Sequence, residues 1–285
     1  MEKPVKNDRL FFFIFITFVT NISKHSGQST NSIKTLLMNY NSGIIIQART
    51  ASTRLPKKII LKIDNKTTFL DVLLSRFMQL KKDFPIVVAT SNNPDDDVIV
   101  EFGNKYKIPV YRGSEQNVLE RFVKCAEFHR FDTIIRVCSD NPFIDIQSII
   151  ELYKNYRGED YLSYKINEKP SILTHYGFFA EIISLQALKK VFNSGESQCI
   201  EHVSNCIYSS ESDFNVRFIA KNIPNQNIRC TLDTKDDFEN LKQIYFNWFK
   251  KKKNSNFGYL DLIEYIESNP DLVEKMKKQI ISNSK

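Results

Sequence analysis

Residues 43–60 read GIIIQARTASTRLPKKII, and within them Arg49, Arg54, Lys57 and Lys58 surround the hydroxyls of Ser52 and Thr53. Guanidinium and ammonium groups form charge-assisted hydrogen bonds to phosphate oxygens, so this density of donors suits a polyphosphate. A solvated basic loop carries the same residues, and composition does not separate the two. Two carboxylates stand in comparable places further on: Asp140 follows the run IIRVCS, and Asp233 follows IRCTL. A magnesium ion is typically held by one or two carboxylates together with substrate phosphates, which this pair supplies if both runs are strands ending beside the cationic loop. Taken singly, each aspartate also fits a turn or a helix-cap position. Asp95, Asp96 and Asp97 imitate an acidic metal motif. They stand just before a helical pattern, where carboxylates complement the helix dipole, and are read as a cap.

The elements that must position these residues alternate. The apolar run Ile44, Ile45, Ile46 predicts a strand feeding the cationic loop, and residues 68–81 predict a helix with Thr68 and Asp71 placed as a capping box. Strands follow at 86–90, 109–111 and 133–138, with helices ending near 106 and spanning 117–128 and 146–155. Repeated strand, loop and helix implies an α/β fold: a doubly wound, mostly parallel sheet with helices on both faces. Ligands of such sheets bind beyond the C-terminal ends of the strands, where the loop and Asp140 fall. The second half is less regular. Strands are expected at 161–164, 177–183, 216–220 and 229–232, and helices at 185–192, 199–208 and 234–250, followed by two short helices interrupted at Asn269-Pro270.

With 285 residues, of which 42% are hydrophobic, the chain has the length and apolar content for one large domain. The working division is an N-terminal extension (1–41) outside the fold, a main domain (42–253) and a C-terminal helical tail (254–285) packed on it. Residues 10–19, LFFFIFITFV, have the profile of a signal-peptide core and are too short to span a bilayer as a helix, but no A-x-A-like cleavage site follows. A secretion signal, a surface anchor and a segment outside the working protein compete. The last is favoured because Met38 stands shortly before the first strand, and no stable membrane insertion is expected. The net charge of +7 is spread out, with much of it near the ends, and no zinc-finger spacing, aromatic-glycine motif or arginine stripe points to nucleic acid. Five scattered cysteines with no C-x-x-C pair imply neither a disulfide framework nor a zinc site, which favours a reducing, cytoplasmic setting.

Several linked stretches, in order, resemble the cytidylyltransferases of the spore-coat-polysaccharide type, relatives of the acylneuraminate and ketodeoxyoctonate cytidylyltransferases. They are Gln47-Ala48-Arg49 with Ser52-Thr53-Arg54-Leu55-Pro56 and Lys58; Arg112-Gly113-Ser114-Glu115 with Asn117-Val118-Leu119; residues 136–142, RVCSDNP; Glu201-His202-Val203; and Thr231-Leu232-Asp233-Thr234 with Asp237. The resemblance covers the chain from about Ile44 onward. It implies a glycosyltransferase-A-like nucleotidyltransferase fold, CTP and a sugar acceptor as substrates, Mg²⁺ as cofactor, and transfer of CMP with release of pyrophosphate. Gln47, Ala48, Arg49, Ser52, Arg54 and Lys58 then fall in the triphosphate-binding loop, Asp140 and Asp233 are the implied metal ligands, and Arg112, Ser114 and Asn117 lie near nucleotide and sugar. The chain departs at Lys57, where the resembled loop carries glycine, a residue free in φ and able to let backbone approach phosphate.

Charge neutralisation and positioning are also what triphosphate chemistry needs on physical grounds, since the phosphates repel an incoming oxygen. Arg49, Arg54, Lys58 and Asp140 are the expected catalytic set. His175, His202 and Glu181 are candidate proton acceptors, with Glu181 and His202 also candidate substrate contacts. Glu181 interrupts an apolar strand, which suggests that it faces a site. A uridylyl- or guanylyltransferase, a glycosyltransferase and a non-catalytic nucleotide-binding protein remain as alternatives. A homodimer through the aromatic-rich residues 161–179 is a further expectation.

Overall fold

Three consecutive isoleucines whose branched side chains pack on both faces of a strand put β1 (Ser42–Gln47) in the interior of the sheet, with Ile44, Ile45 and Ile46 fully buried. The computed structural model describes residues 40–210, 212–252 and 257–283. The expected extension (1–41), apart from Tyr40 and Asn41, and the start at Met38 lie outside the described residues, as does the 253/254 boundary. No helix among the described residues is long and apolar enough to cross a membrane.

After β1 come α1 (Phe69–Phe77), β2 (Ile86–Ser91), α2 (Asp97–Tyr106), β3 (Val110–Gly113), α3 (Val118–His129), β4 (Thr133–Cys138) and α4 (Ile146–Asn155). The second half adds β5 (Tyr161–Ile166), β6 (Lys169–Pro170), β7 (Glu181–Ser184), α5 (Leu185–Ser194), α6 (Asn205–Tyr208), β8 (Val216–Lys221), α7 (Lys235–Asn247), α8 (Tyr259–Glu267) and α9 (Pro270–Ser282). One sheet runs β3-β2-β1-β4-β7-β5-β6, with β8 on β5. Strands β1 to β4 pair in parallel, as does β8 with β5, whereas β7 is antiparallel to both β4 and β5. This is the expected α/β architecture, a mostly parallel mixed sheet.

Strand alternation sends Ile45 into a core cluster with Phe122 of α3 and Leu188 of α5. Ser42, two positions before Ile44 and so on the same face, meets the Tyr153 hydroxyl of α4 at 3.0 Å. Helices therefore cover both faces. The predicted Thr68–Asp71 capping box opens α1, and Thr234 with Asp237 forms another at α7. The C-terminal helices pack back on the domain: Leu272 and Met276 of α9 are buried, and Gln279 reaches Thr234 and Asp236 at the start of α7.

Because Gln47 pairs with both Ala89 and Cys138, the C-terminal ends of β1, β2 and β4 lie at one level. The order 3-2-1-4 reverses direction between β1 and β4, which makes that gap the switch point where ligands bind in open α/β sheets.

Several expectations are corrected. Residues 229–232 join no strand; their backbone is pinned to loops, with Cys230 N donating to His175 O (2.9 Å) and Leu232 N to Asp140 O (2.8 Å). The strand expected at 177–183 forms only from Glu181, and the helix expected at 199–208 reduces to a 3-10 turn and the single turn α6. The aromatic residues proposed as a dimer surface are interior: Tyr161, Tyr164 and Phe178 are fully buried, and Tyr176 and Phe179 nearly so. Cys199 and Cys206, expected as independent thiols, form a disulfide. Their C-x6-C spacing carries no signature, and it is the fold-back of the turn between α5 and α6 that brings the sulfurs together.

Candidate active site

The loop after β1 starts at Ala48, whose N–H continues the ladder to Ala89 O at 3.1 Å. Its path is then fixed from an unexpected quarter. Asp96 is almost fully buried, and its two oxygens accept from Thr50 N and Oγ1 (both 2.7 Å), Thr90 Oγ1 (3.0 Å), and Ser91 N and Oγ (3.1 and 2.5 Å). The cap reading of the acidic triplet fails for this residue, since its side chain makes no cap bond and instead ties the β1 loop to the end of β2. Burial alone would raise the Asp96 pKa, but these hydrogen bonds hold it below the ordinary carboxylate value.

Lys57 N then donates to Thr50 O at 3.0 Å, closing the loop, with Lys57 itself at φ 59°, ψ 21°. This is the left-handed region that glycine enters freely and lysine does not. The turn delivers Lys58, whose Nζ lies 3.1 Å from Asp140 Oδ2 and 3.0 Å from Asp233 Oδ1. Arg54 joins the same centre through Asp233 Oδ1 at 3.0 Å. Burial pulls the Lys58 pKa down, but Asp140 and Asp233 outweigh it and hold the ammonium above its ordinary value.

Asp140 stands just beyond β4, where Ser139 N donates to Gln47 O (3.0 Å) and keeps the two strand ends in step. Asp233 is set by helix α7. Asp237 accepts from the backbone N–H of Asp233 (3.0 Å) and Thr234 (2.9 Å), and the buried Arg229 forks onto Asp237 at 2.6 and 2.8 Å while touching Asp233 at 3.3 Å. The Leu232 to Asp140 bond already described completes the bridge between the two aspartates.

The remaining residues named from sequence divide. Arg49 pairs with Glu201 at 3.0 Å, and Ser52 is partly exposed in the loop. Gln47 accepts from Arg136 Nη2 at 3.1 Å. Arg112 holds Ser91 O (3.0 Å), Asn93 O (2.8 Å) and Asp97, fastening β3 to the end of β2. Asn117 caps α3, and Ser114 Oγ accepts from Asn117 N at 3.0 Å. Glu181 does not face an open site: it is buried against Arg136, Tyr161 and Ser204, with Arg136 directly opposite it across the β4–β7 ladder. Of the other candidate proton acceptors, His175 Nδ1 accepts from Arg229, and His202 is exposed beside Glu201.

The family model described as "Cytidylyltransferase" matches residues 43–280. The chain belongs to the cytidylyltransferase family. The spore coat polysaccharide biosynthesis protein SpsF of Bacillus subtilis is 33% identical over 239 residues, 80% of this chain and 94% of its own length. An uncharacterized protein of Methanocaldococcus jannaschii is 33% identical over 231 residues, covering 80% of this chain and 91% of that protein. A cytidylyltransferase structure from Leptospira borgpetersenii superposes with a TM-score of 0.72 at 29% identity, covering 82% of this chain and 97% of that one. CMP:2-keto-3-deoxy-manno-octonic acid synthetase, solved with CTP, shares the fold at a TM-score of 0.54 and 16% identity, covering 72% of this chain and 98% of that one.

In this cytidylyltransferase the donor set fits a hard divalent cation. Asp140 and Asp233 offer only carboxylate oxygens, and both already converge on one positive centre, Lys58 Nζ. The Asp140 side chain is 33% exposed, which leaves that side of the pair open to substrate. Sequence reasoning missed Asp96, Arg136, Arg229 and Glu201 as organisers of this region. Only the positions of Arg136 and Glu201 in the family stretches pointed to them. Asp96 and Arg229 act through loop and helix-start contacts that no sequence spacing announces.

Proposed function

We propose that this cytidylyltransferase transfers CMP from CTP to a sugar, of sialic-acid-like or related type, with release of pyrophosphate, and that the product feeds surface polysaccharide or glycoprotein glycan synthesis. The observation that carries the reading is the convergence of Lys58 and Arg54 on Asp140 and Asp233 at the β1/β4 switch point. Two cations and two carboxylates held together before substrate arrives form a preorganised site for a metal-bound triphosphate. The name of SpsF, a spore coat polysaccharide biosynthesis protein, supports the pathway. The CTP-bound synthetase of the same fold supports the nucleotide.

Asp140 and Asp233 would hold the Mg²⁺, which when bound neutralises phosphate charge and polarises the phosphorus under attack. Lys58, protonated throughout the neutral range, is placed to take phosphate charge when the aspartates turn to the cation. Arg54, half exposed, and Arg49, held among the described residues by a surface pair with Glu201, can swing onto the outer phosphates and the departing pyrophosphate. Arg136 fixes the Gln47 carbonyl oxygen and so aims the amide N–H₂ away from that contact, ready to donate to nucleotide or sugar. Glu181 acts behind this by holding Arg136.

Purified protein should release pyrophosphate from CTP and Mg²⁺ with at least one member of a panel of sialic-acid-like and ulosonic sugars, and far less from UTP or GTP. Failure with every sugar, or equal use of UTP, rejects the proposal.

A further inference from the structure

Arg121, in the first turn of α3, is fully buried, and among the described residues the only hydrogen bond of its side chain runs from Nη1 to Ser114 O. Its Nε and Nη2 are buried with no partner. A guanidinium sealed from water with part of its donor set unused is costly, and buried arginines normally face a carboxylate. The two acids nearest in charge, Asp96 and Glu115, are engaged elsewhere: Asp96 with Thr50, Thr90 and Ser91, and Glu115 with both oxygens on Asn93 Nδ2 at 3.1 Å. Burial, with the like charge of Arg49 adding to it, lowers the Arg121 pKa to about 10. The surroundings belong to the candidate site. Ser114 directly follows β3, and Leu119 N of the same helical turn as Arg121 donates to Ile200 O (3.0 Å), next to the Glu201 that holds Arg49.

We infer that Arg121 is a further anion-binding residue of the nucleotide site, donating from its Nε–Nη2 edge to a pair of oxygens on a phosphate or a carboxylate of the bound substrates. This rests on the cytidylyl-transfer reading for the identity of the ligand. The physical case is that side-by-side donors match the two oxygens of either group, and that an anion taken between Arg49 and Arg121 relieves their repulsion. The Arg49–Glu201 contact is open to solvent, and such pairs hold weakly, so Arg49 can turn toward an arriving anion. The phosphate would come from CTP, the carboxylate from a sugar acid.

The test uses the full chain with Arg121→Met and Arg121→Lys, measured by calorimetry with pyrophosphate and with CTP, and by the KM of a 2-keto sugar acid at saturating CTP. Thermal melts of the free proteins accompany these. Loss of one charge-assisted donor pair predicts weakening of about tenfold or more in Arg121→Met, with Arg121→Lys between it and wild type. Loss confined to pyrophosphate and CTP assigns the edge to phosphate, and loss confined to the sugar acid assigns it to the carboxylate. The free Arg121→Met protein should melt no lower than wild type, because an uncompensated buried charge has been removed, whereas a purely structural arginine would lower the melt. Should Arg121→Met fail to fold, its structural role is established, and unchanged binding by Arg121→Lys then overturns the inference. Unchanged pyrophosphate and sugar-acid binding in Arg121→Met also overturns it. Wild-type protein that binds pyrophosphate but not CTP refutes the cytidylyl-transfer reading, and the pyrophosphate comparison still decides the role of Arg121.

Discussion

Lys58 Nζ meets Asp233 Oδ1 at 3.0 Å across 175 positions of sequence. The contact joins the loop after β1 to the segment before α7, so one ammonium reports on the closure of the whole site. Its pKa is raised in the folded state, burial opposing and the two aspartates prevailing, and this fixes the sign of a pH effect. The stabilisation is fully present below the ordinary lysine value and is lost as pH rises through the higher folded value. Urea denaturation from pH 8 to 11 should show Lys58→Gln less stable than wild type, with the gap closing only at the alkaline end. A constant gap, or none, contradicts the ion-pair account.

Lys57 occupies a conformation suited to glycine. A left-handed non-glycine residue costs about 1–2 kcal/mol, partly offset because glycine has more freedom to lose on folding. Lys57→Gly should therefore stabilise the protein by up to about 1 kcal/mol in equilibrium unfolding, and Lys57→Val should destabilise it. A less stable glycine variant would show that the lysine side chain contributes more than its backbone strain removes.

Asp96 supplies the anchorage of the cationic loop from a helix start that contacts no substrate in the proposed scheme. Asp96→Asn places an amide N–H₂ against donors, and with the buried charge lost it should cost about 2–4 kcal/mol of stability. The folded pKa of Asp96 is depressed, so its contribution is present above the ordinary carboxylate value and fades as pH falls through the lower folded value. The difference in acid unfolding between wild type and Asp96→Asn should start to shrink only below about pH 3.8 and close as pH falls through the lower folded value. Persistence of the full difference there would place the effect elsewhere.

Glu181 separates two roles cleanly. A general base would lose turnover on change to Gln while stability held. A buried partner of Arg136 should instead lose both, with unfolding free energy down by about 3–5 kcal/mol for Glu181→Ala and less for Glu181→Gln, because one partner of a buried ion pair is left uncompensated. Raised KM for CTP through a loosened Gln47 is expected alongside. A stable, inactive Glu181→Gln would restore the proton-acceptor role.

The parts of the molecule legible in the sequence were those with local signals. Ile44 to Ile46 announce a buried strand, Thr68 with Asp71 a helix start, and Asp140 a turn after an apolar run. Residues 229–232 misled because a short run that buries every side chain looks the same whether it joins a ladder or, as here, is pinned by His175 and Asp140 carbonyls. Glu181 was misjudged for a related reason: its partner Arg136 is set by antiparallel register between β4 and β7, and no spacing in the sequence encodes that. Asp96 was hidden by a triplet in which all three aspartates fit a helix start, although only the middle one turns inward. The cations and carboxylates of the site could be named from sequence, whereas the groups that hold them in place required the fold.

The most direct test compares wild type with Asp140→Asn for CTP-dependent pyrophosphate release over the sugar panel, identifying any CMP-sugar by mass spectrometry and checking the melting temperature of both. Asp140 lies one-third exposed and leaves no buried cation unpaired when neutralised, since Lys58 keeps Asp233. The account predicts a CMP-sugar from wild type and a turnover lower by about 10²–10³ in Asp140→Asn with an unchanged melt, the scale of losing one preorganised electrostatic contact. A wild type that makes no CMP-sugar, or an Asp140→Asn protein that turns over as fast as wild type, contradicts it.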